Sequence, residues 1–365
     1  MSEVYQDKNG LFGLYKHHYE HTTLHITDIP RREIATQEFS PQLRAFSRAQ
    51  YFDTKSALVE DLLENARPPA GLFCSTAYYL DPNETKPTKR GLIGYDFVID
   101  LDDDALAYAD RYDFIDAMRK KTKAIVERFL KDLGFDEDLM LVDFSGNKGF
   151  HLTFDDEKYR NLDQSDRRQI IDYIIGNKLD RDILLVNNKL SHYGWNKQAV
   201  FFLEDLLKYP SKENIEKYFT INKVKKINSL LTDPAVIARL SAGSLVDFDT
   251  KVLKLAMMKE HRLNIKNVVD KKPTVDKHRI FRVPGSLHPK SGLPSVRLTK
   301  HHLNSTDAII DEIMRIAGED MVTVTIGEDV EIDFPRKTVF TEGTHTVPRY
   351  EALCILTKAC KKHWI

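Results

Sequence analysis

The hydrophobic period of this chain changes twice along its length, and that pattern limits the available folds more than any other feature. Between about residues 90 and 155, GLIGYDFVIDLDDD reads as a strand and DFIDAMRKKTKAIVERFLKDLG as an amphipathic helix. LMLVDFSGNKGFHLTF reads as two strands around a tight glycine-containing turn. Between about 161 and 265 the spacing is helical, as in QAVFFLEDLLKYP, ENIEKYFTINKVKKINSLL, PAVIARLSAG and DFDTKVLKLAMMKEHRL. After residue 266 strand-like RIFRVPG, PSVRLT and MVTVTIGEDVEIDF return, and VPRYEALCILTKACKKHW closes as a helix. Because sheet character resumes late, the spacing predicts an α/β (α+β) fold. Residues 1–160 and 266–365 form one mixed-sheet domain, and residues 161–265 are inserted in it as a helical subdomain.

The 365 residues suffice for two domains. A composition 42% hydrophobic and 30% charged excludes a disordered or fibrous chain. The 54 Lys and Arg nearly cancel the 55 Asp and Glu, so any nucleic-acid surface must be local. Cys74, Cys354 and Cys360 form no CxxC pair, which argues against a zinc ribbon or disulfide framework. The opening MSEVYQDKNGLFGLYKHHYEH has neither a signal-peptide pattern nor a long apolar run, so a cytoplasmic protein without a membrane span is expected.

Three segments carry chemistry. In VIDLDDD, Asp100 and Asp102 are two apart on a strand and share a face, while Asp103 and Asp104 are free to turn into solvent. Two neighbouring carboxylates repel unless a cation neutralises them, and Mg²⁺ or Mn²⁺ prefers such oxygens. An acidic strand end is also an ordinary solvated turn or helix cap. The second segment, DFSGNKGFHLTF, supplies Ser145, Lys148 and His151 around two glycines. It could cradle a triphosphate or be a surface hairpin, and it lacks the spacing of a Walker A loop. The third, VVDKKPTVDKHRIFRVPGSLHPKSGLPSVRL, follows Asp270 with Asp276, Arg279, Arg282, His288, Lys290 and Arg297. An acid followed by concentrated bases could join a metal centre to phosphates.

In this order the segments resemble the three motifs of the archaeo-eukaryotic primase superfamily, most closely the archaeal catalytic small subunit. VIDLD resembles its DxD, SGNKGFH its SGxRGxH loop, and the stretch from Asp270 to FRVPGSLHPKSG its third carboxylate and RLPGSLHxKTG. Asp270 precedes His288 by the family's eighteen positions. RREIATQEF and CSTAYYLDP add similarity, which is weakest in the helical insertion. The resemblance implies that Asp100, Asp102 and Asp270 are catalytic and bind two divalent ions, Mg²⁺ or Mn²⁺. It also implies that Ser145, Lys148, His151, Arg282 and His288, with Arg32 added, contact the phosphates of an incoming NTP or dNTP. The implied reaction is primer synthesis on a single-stranded DNA template, beside a separate large subunit carrying an iron–sulfur cluster. Asp103, Asp104, Asp276, Arg279, Lys290 and Arg297 are read as solvated, capping or backbone-contacting groups.

The chain departs from the family pattern twice. DDDALAYADRYDFIDAMRKKTKAIVERFLKDLGFDEDL lacks the Cys and His of the family's zinc knuckle, so no zinc is expected. Lys148 stands where relatives commonly have Arg, keeping the charge but losing the planar fork. The alternatives are a primase-polymerase or repair polymerase of the same superfamily, or a noncatalytic nucleic-acid-binding scaffold.

Overall fold

The computed structural model describes residues 4–40, 43, 46–104, 107–180 and 184–361. It divides into one unit of Met1–Thr122, Asp138–Arg168 and Asp270–Ile365, and a second of Lys123–Glu137 and Gln169–Val269. The first is an α/β unit. Its central sheet has five strands in the order Val269–Asp270, Phe97–Asp102, Gly149–Phe154, Met140–Phe144 and Val296–Leu298. The strands from Phe97–Asp102 to Val296–Leu298 pair antiparallel throughout.

The two faces of this sheet differ because side chains alternate. Phe97, Ile99, Leu101, Val142, Phe144, Phe150, Leu152 and Phe154 share one register and are fully buried. At about 1.5–3 kcal/mol for each buried side chain, this face anchors the unit. The opposite face carries Asp100, Asp102, His151, Asp143 and Arg297.

A second, antiparallel sheet orders Ile280–Arg282, Gly71–Ser75, Ile34–Gln37 and Phe46–Gln50. It meets the polar face through Phe281, whose ring lies edge-on to His151 at 4.6 Å. A third, mixed sheet sets Met321–Ile326 parallel to Val4–Gln6 and antiparallel to Gly343–Pro348. Helices Asp7–His21 and Arg349–Lys361 pack together beside it.

GLIGYDFVIDLDDD forms two strands, not the expected one. Leu92–Tyr95 pairs with Ala77–Tyr79, and Phe97–Asp102 joins the central sheet. The break falls at Asp96, whose buried carboxylate turns inward to Arg32 at 2.7 Å and the Tyr78 hydroxyl at 3.0 Å.

The second unit is helical, with Lys197–Lys208, Lys212–Tyr218, Ile221–Thr232, Pro234–Ser241 and Thr250–His261 among its elements. Asp233 accepts from the amides of Ala235 and Val236, and Pro234 takes the first helical position, so one helix ends and the next starts there. Trp195 packs between Phe129 at 5.5 Å and His261 at 4.6 Å in its core. Among the described residues no helix is long and apolar enough to cross a membrane.

Candidate active site

Strand register draws one polar line across the central sheet. Asp100 lies opposite His151, His151 opposite Asp143, and Asp143 opposite Arg297. Arg297 forks onto the buried Asp143 through Nε and Nη2. His151 Nε2 stands 3.5 Å from Asp100 Oδ1. Burial holds the His151 imidazole below its ordinary value, against the pull of Asp143 and Asp102. Burial raises Asp100 to about 7, with Arg279 opposing and Asp270 adding to the rise. Asp102 reaches solvent at the strand end. Its enclosure and then the Asp100 charge push it to about 6, against His151 and Lys148.

Asp102 faces Gly149, where no other residue fits: a Cβ there would lie 1.7 Å from the Leu101 carbonyl oxygen and 2.7 Å from Asp102 Oδ1. Gly149 ends the turn that the second motif predicts. Ser145 Oγ accepts from the amides of Asn147 at 3.4 Å and Gly149 at 3.1 Å, closing the turn from within. Gly146 turns it with φ +82°, and His288 Cβ would be 3.0 Å from a Cβ added at Gly146. Ser291 Oγ donates to the Gly146 carbonyl at 2.6 Å. The third motif therefore docks directly on the second. Lys148 is exposed at the turn, and His288 is half-buried.

Asp270 closes its short edge strand and caps the helix Lys271–Val275, accepting from the Lys272 amide at 2.9 Å. It shares the electrostatic environment of Asp100 and Asp102. The exposed Arg279 exerts the largest favourable charge on Asp100 and follows the Phe281 ring at 5.9 Å, although its sequence context reads as a solvated surface group. Arg282 stacks 4.6 Å over Phe73 and donates to the Leu287 carbonyl at 3.0 Å. It also lines a cavity with His151, Asp143 and Arg297.

Arg32 lines that cavity too, but its guanidinium is turned onto protein acceptors. Its donors go to the carbonyls of Thr27 (3.1 Å), Ser75 (2.9 Å) and Thr76 (2.6 Å) and to Asp96, and its guanidinium lies 3.6 Å from the Tyr78 ring centroid. It braces the second sheet against the Asp96 break. Asp103 is also held internally, by Lys121 at 2.5 Å and the Tyr108 hydroxyl at 2.9 Å.

A family model described as DNA primase small subunit matches residues 97–299. The chain belongs to the DNA primase small subunit family. It is 26% identical to the DNA primase small subunit PriS of Methanococcoides burtonii over 98% of both chains. It is 27% identical to PriS of Methanosarcina mazei over 97% of this chain and 96% of that one, and 29% identical to PriS of Haloarcula marismortui over 82% and 83%. Membership makes it a primase, a nucleotidyltransferase of DNA replication.

For this primase small subunit, the donor chemistry of the carboxylate cluster can be tested against a divalent cation. Among the described residues no three His, Cys, Asp or Glu side chains are grouped so that they could hold a metal ion as they stand. Asp100 Oδ1 is nevertheless buried without a hydrogen-bond partner, and the His151 contact does not satisfy it. A bare oxygen surrounded by further carboxylate charge fits a hard cation and is costly without one. Sequence reasoning missed Asp143 as a member of this face and set Arg279 and Arg297 aside. The alternation of LVDFSGNKGFH could have found Asp143, which lies on the strand facing His151.

Proposed function

We propose that this chain makes short primers on single-stranded DNA by two-metal-dependent nucleotidyl transfer from nucleoside triphosphates, ribo- or deoxyribonucleotides. The observation that carries this reading is the buried, unpartnered Asp100 Oδ1, on one face with Asp102 and within the electrostatic reach of Asp270. Asp100, Asp102 and Asp270 would hold two divalent ions, Mg²⁺ or Mn²⁺, whose preference for oxygen suits these donors. When bound, such a pair lowers the pKa of an attacking 3′-hydroxyl and offsets charge on departing pyrophosphate.

The chain's own residues bind and orient the triphosphate. Lys148 and Arg279 bring exposed cations to the carboxylate rim, and His288 lies on the Gly146 turn. His151 is held as a neutral ring that can donate one hydrogen bond, between Asp100 and Phe281. Arg282 lines the cavity that His151 borders, with its guanidinium held by the Leu287 carbonyl and the Phe73 ring. These groups stabilise charge in a prearranged site and form no covalent intermediate.

The template is held by local Lys and Arg contacts to its phosphates, with salt-dependent affinity. A separate large subunit carries the iron–sulfur cluster, and the heterodimer works in the cytoplasm. In support, Cys74, Cys354 and Cys360 are free thiols, the first two pushed by burial up to about 12 and the third to about 11.

The test is de novo synthesis on a single-stranded template with Mg²⁺ or Mn²⁺, with each nucleotide class, and with and without a large subunit. Metal-dependent primers that vanish in Asp100→Asn and Asp270→Asn, while folding and DNA binding persist, support the reading. Synthesis at the wild-type rate by either variant refutes that residue's role. Extension of supplied primers without initiation would favour a repair polymerase of the same superfamily.

A further inference from the structure

We propose that the backbone N–H of Lys148 is a phosphate-binding donor and that Arg111, outside the loop, is the positioning residue that aims it. This inference rests on reading the Ser145–Gly149 turn as the triphosphate cradle.

Arg111 begins the helix Arg111–Ile125 and is 5% exposed. Its Nη1 donates to the Asn147 carbonyl, and its Nη2 reaches Asn147 Oδ1 at 3.5 Å and Asp333 Oδ2 at 2.8 Å. Asp333 also takes Lys358 Nζ at 2.9 Å, and its backbone carbonyl accepts from the Arg111 amide at 2.9 Å. The guanidinium is thus pinned from behind. Its buried Nε has no hydrogen-bond partner, so the orientation that reaches Asn147 leaves one donor unsatisfied.

A trans peptide is planar, with its C=O and N–H on opposite edges. Fixing the Asn147 carbonyl on Arg111 therefore turns the Lys148 N–H away from Arg111. The other carbonyls of the turn are drawn off as well: Gly146 onto Ser291 Oγ at 2.6 Å and Lys148 onto the Asp103 amide at 3.2 Å. Three consecutive carbonyl oxygens that would repel an anion are thereby held on protein donors. The amides of Ser145, Asn147 and Gly149 are bonded within the turn. Among the described residues the Lys148 N–H has no partner. A backbone donor left bare beside a lysine side chain, in a turn whose carbonyls face elsewhere, is the construction of an anion-binding nest.

The test uses the full chain and the variants Arg111→Ala, Arg111→Lys and Asp333→Asn. It measures nucleotide KM and kcat on a primed template, inhibition by inorganic tripolyphosphate, and thermal melting. Arg111→Lys keeps a cation near Asp333 but cannot fork onto Asn147, which protects against simple loss of folding. Loss of one aimed donor should raise KM and the tripolyphosphate inhibition constant about tenfold. The change in kcat should stay within about threefold, because the donor acts on binding. Asp333→Asn should give a smaller rise of the same kind. A lowered melting temperature with unchanged KM and tripolyphosphate inhibition in Arg111→Lys overturns the proposal and leaves Arg111 as structural support. A wild-type chain inert with metal on primed and unprimed templates overturns the functional reading, and this inference with it. Wild-type synthesis with an unmoved KM in the variants overturns the positioning role alone.

Discussion

Gly149→Ala tests whether the carboxylate site depends on close backbone approach. The new Cβ would start 1.7 Å from the Leu101 carbonyl oxygen, where ordinary contact begins at 3.4 Å. The obstacle is backbone of a central strand, so no side chain can swing aside, and the two strands must part by about 1.7 Å at that point. Overpacking of this kind costs about 1–3 kcal/mol, with the ladder hydrogen bonds of the strand end at risk besides. Asp102 sits opposite Gly149 and must move with its strand. A displacement of about 1 Å at a reacting site costs on the order of 100-fold in rate. The expected outcome is a variant less stable by about 1–3 kcal/mol in urea titration and slower by roughly 100-fold in primer synthesis. Gly327→Ala is the control, since nothing lies within 4 Å of its added Cβ. Its stability should stay within about 0.5 kcal/mol of wild type, with rate unchanged. A Gly149→Ala chain with wild-type stability and rate would refute the close-approach reasoning.

Three further outcomes follow from particular side chains. In chelator, Asp100→Asn should be more stable than wild type by about 1–3 kcal/mol, because it removes a buried charge that burial and the Asp102 and Asp270 carboxylates disfavour. Added Mg²⁺ should raise the melting temperature of wild type and not of the variant; a wild type indifferent to Mg²⁺ would contradict the metal assignment. Asp270→Asn should keep the cap on Lys271–Val275 and lose synthesis, whereas Asp270→Ala should lose both, by about 1 kcal/mol of stability for the cap. Equal stability losses in the two variants, read from urea midpoints, would break that separation. Burial holds His18 down to about 4, with His17 and Arg349 adding to the effect and its contact to the Gly285 carbonyl at 2.7 Å opposing it. The unfolded chain therefore binds the extra proton between pH 6.5 and 4. The contribution is complete above about pH 6.5 and falls by up to about 3 kcal/mol as the pH drops toward 4. His18→Gln should flatten that part of the stability curve; an unchanged pH dependence would count against it.

What the sequence alone determined is what neighbouring residues decide. Period-two alternation places Asp100 and Asp102 on one face, and helical spacing outlines the elements from Lys197 to His261. The glycines of SGNKG mark a tight turn, because backbone conformation and side-chain direction are local properties. The structure decided what distant residues share. Arg32 reads from the sequence as an addition to the phosphate contacts, and only the fold surrounds it with the carbonyls of Thr27, Ser75 and Thr76. The line from Asp100 through His151 and Asp143 to Arg297 depends on the register of four strands, one of them more than 140 residues along the chain from its neighbour. Arg111 reaches Asn147 and Asp333 only when the sheet closes. Charges act through space and across the enclosed volume between them. Their partners and their pKa values are therefore set by which strands pair and what is buried there, and no local pattern of residues contains that information.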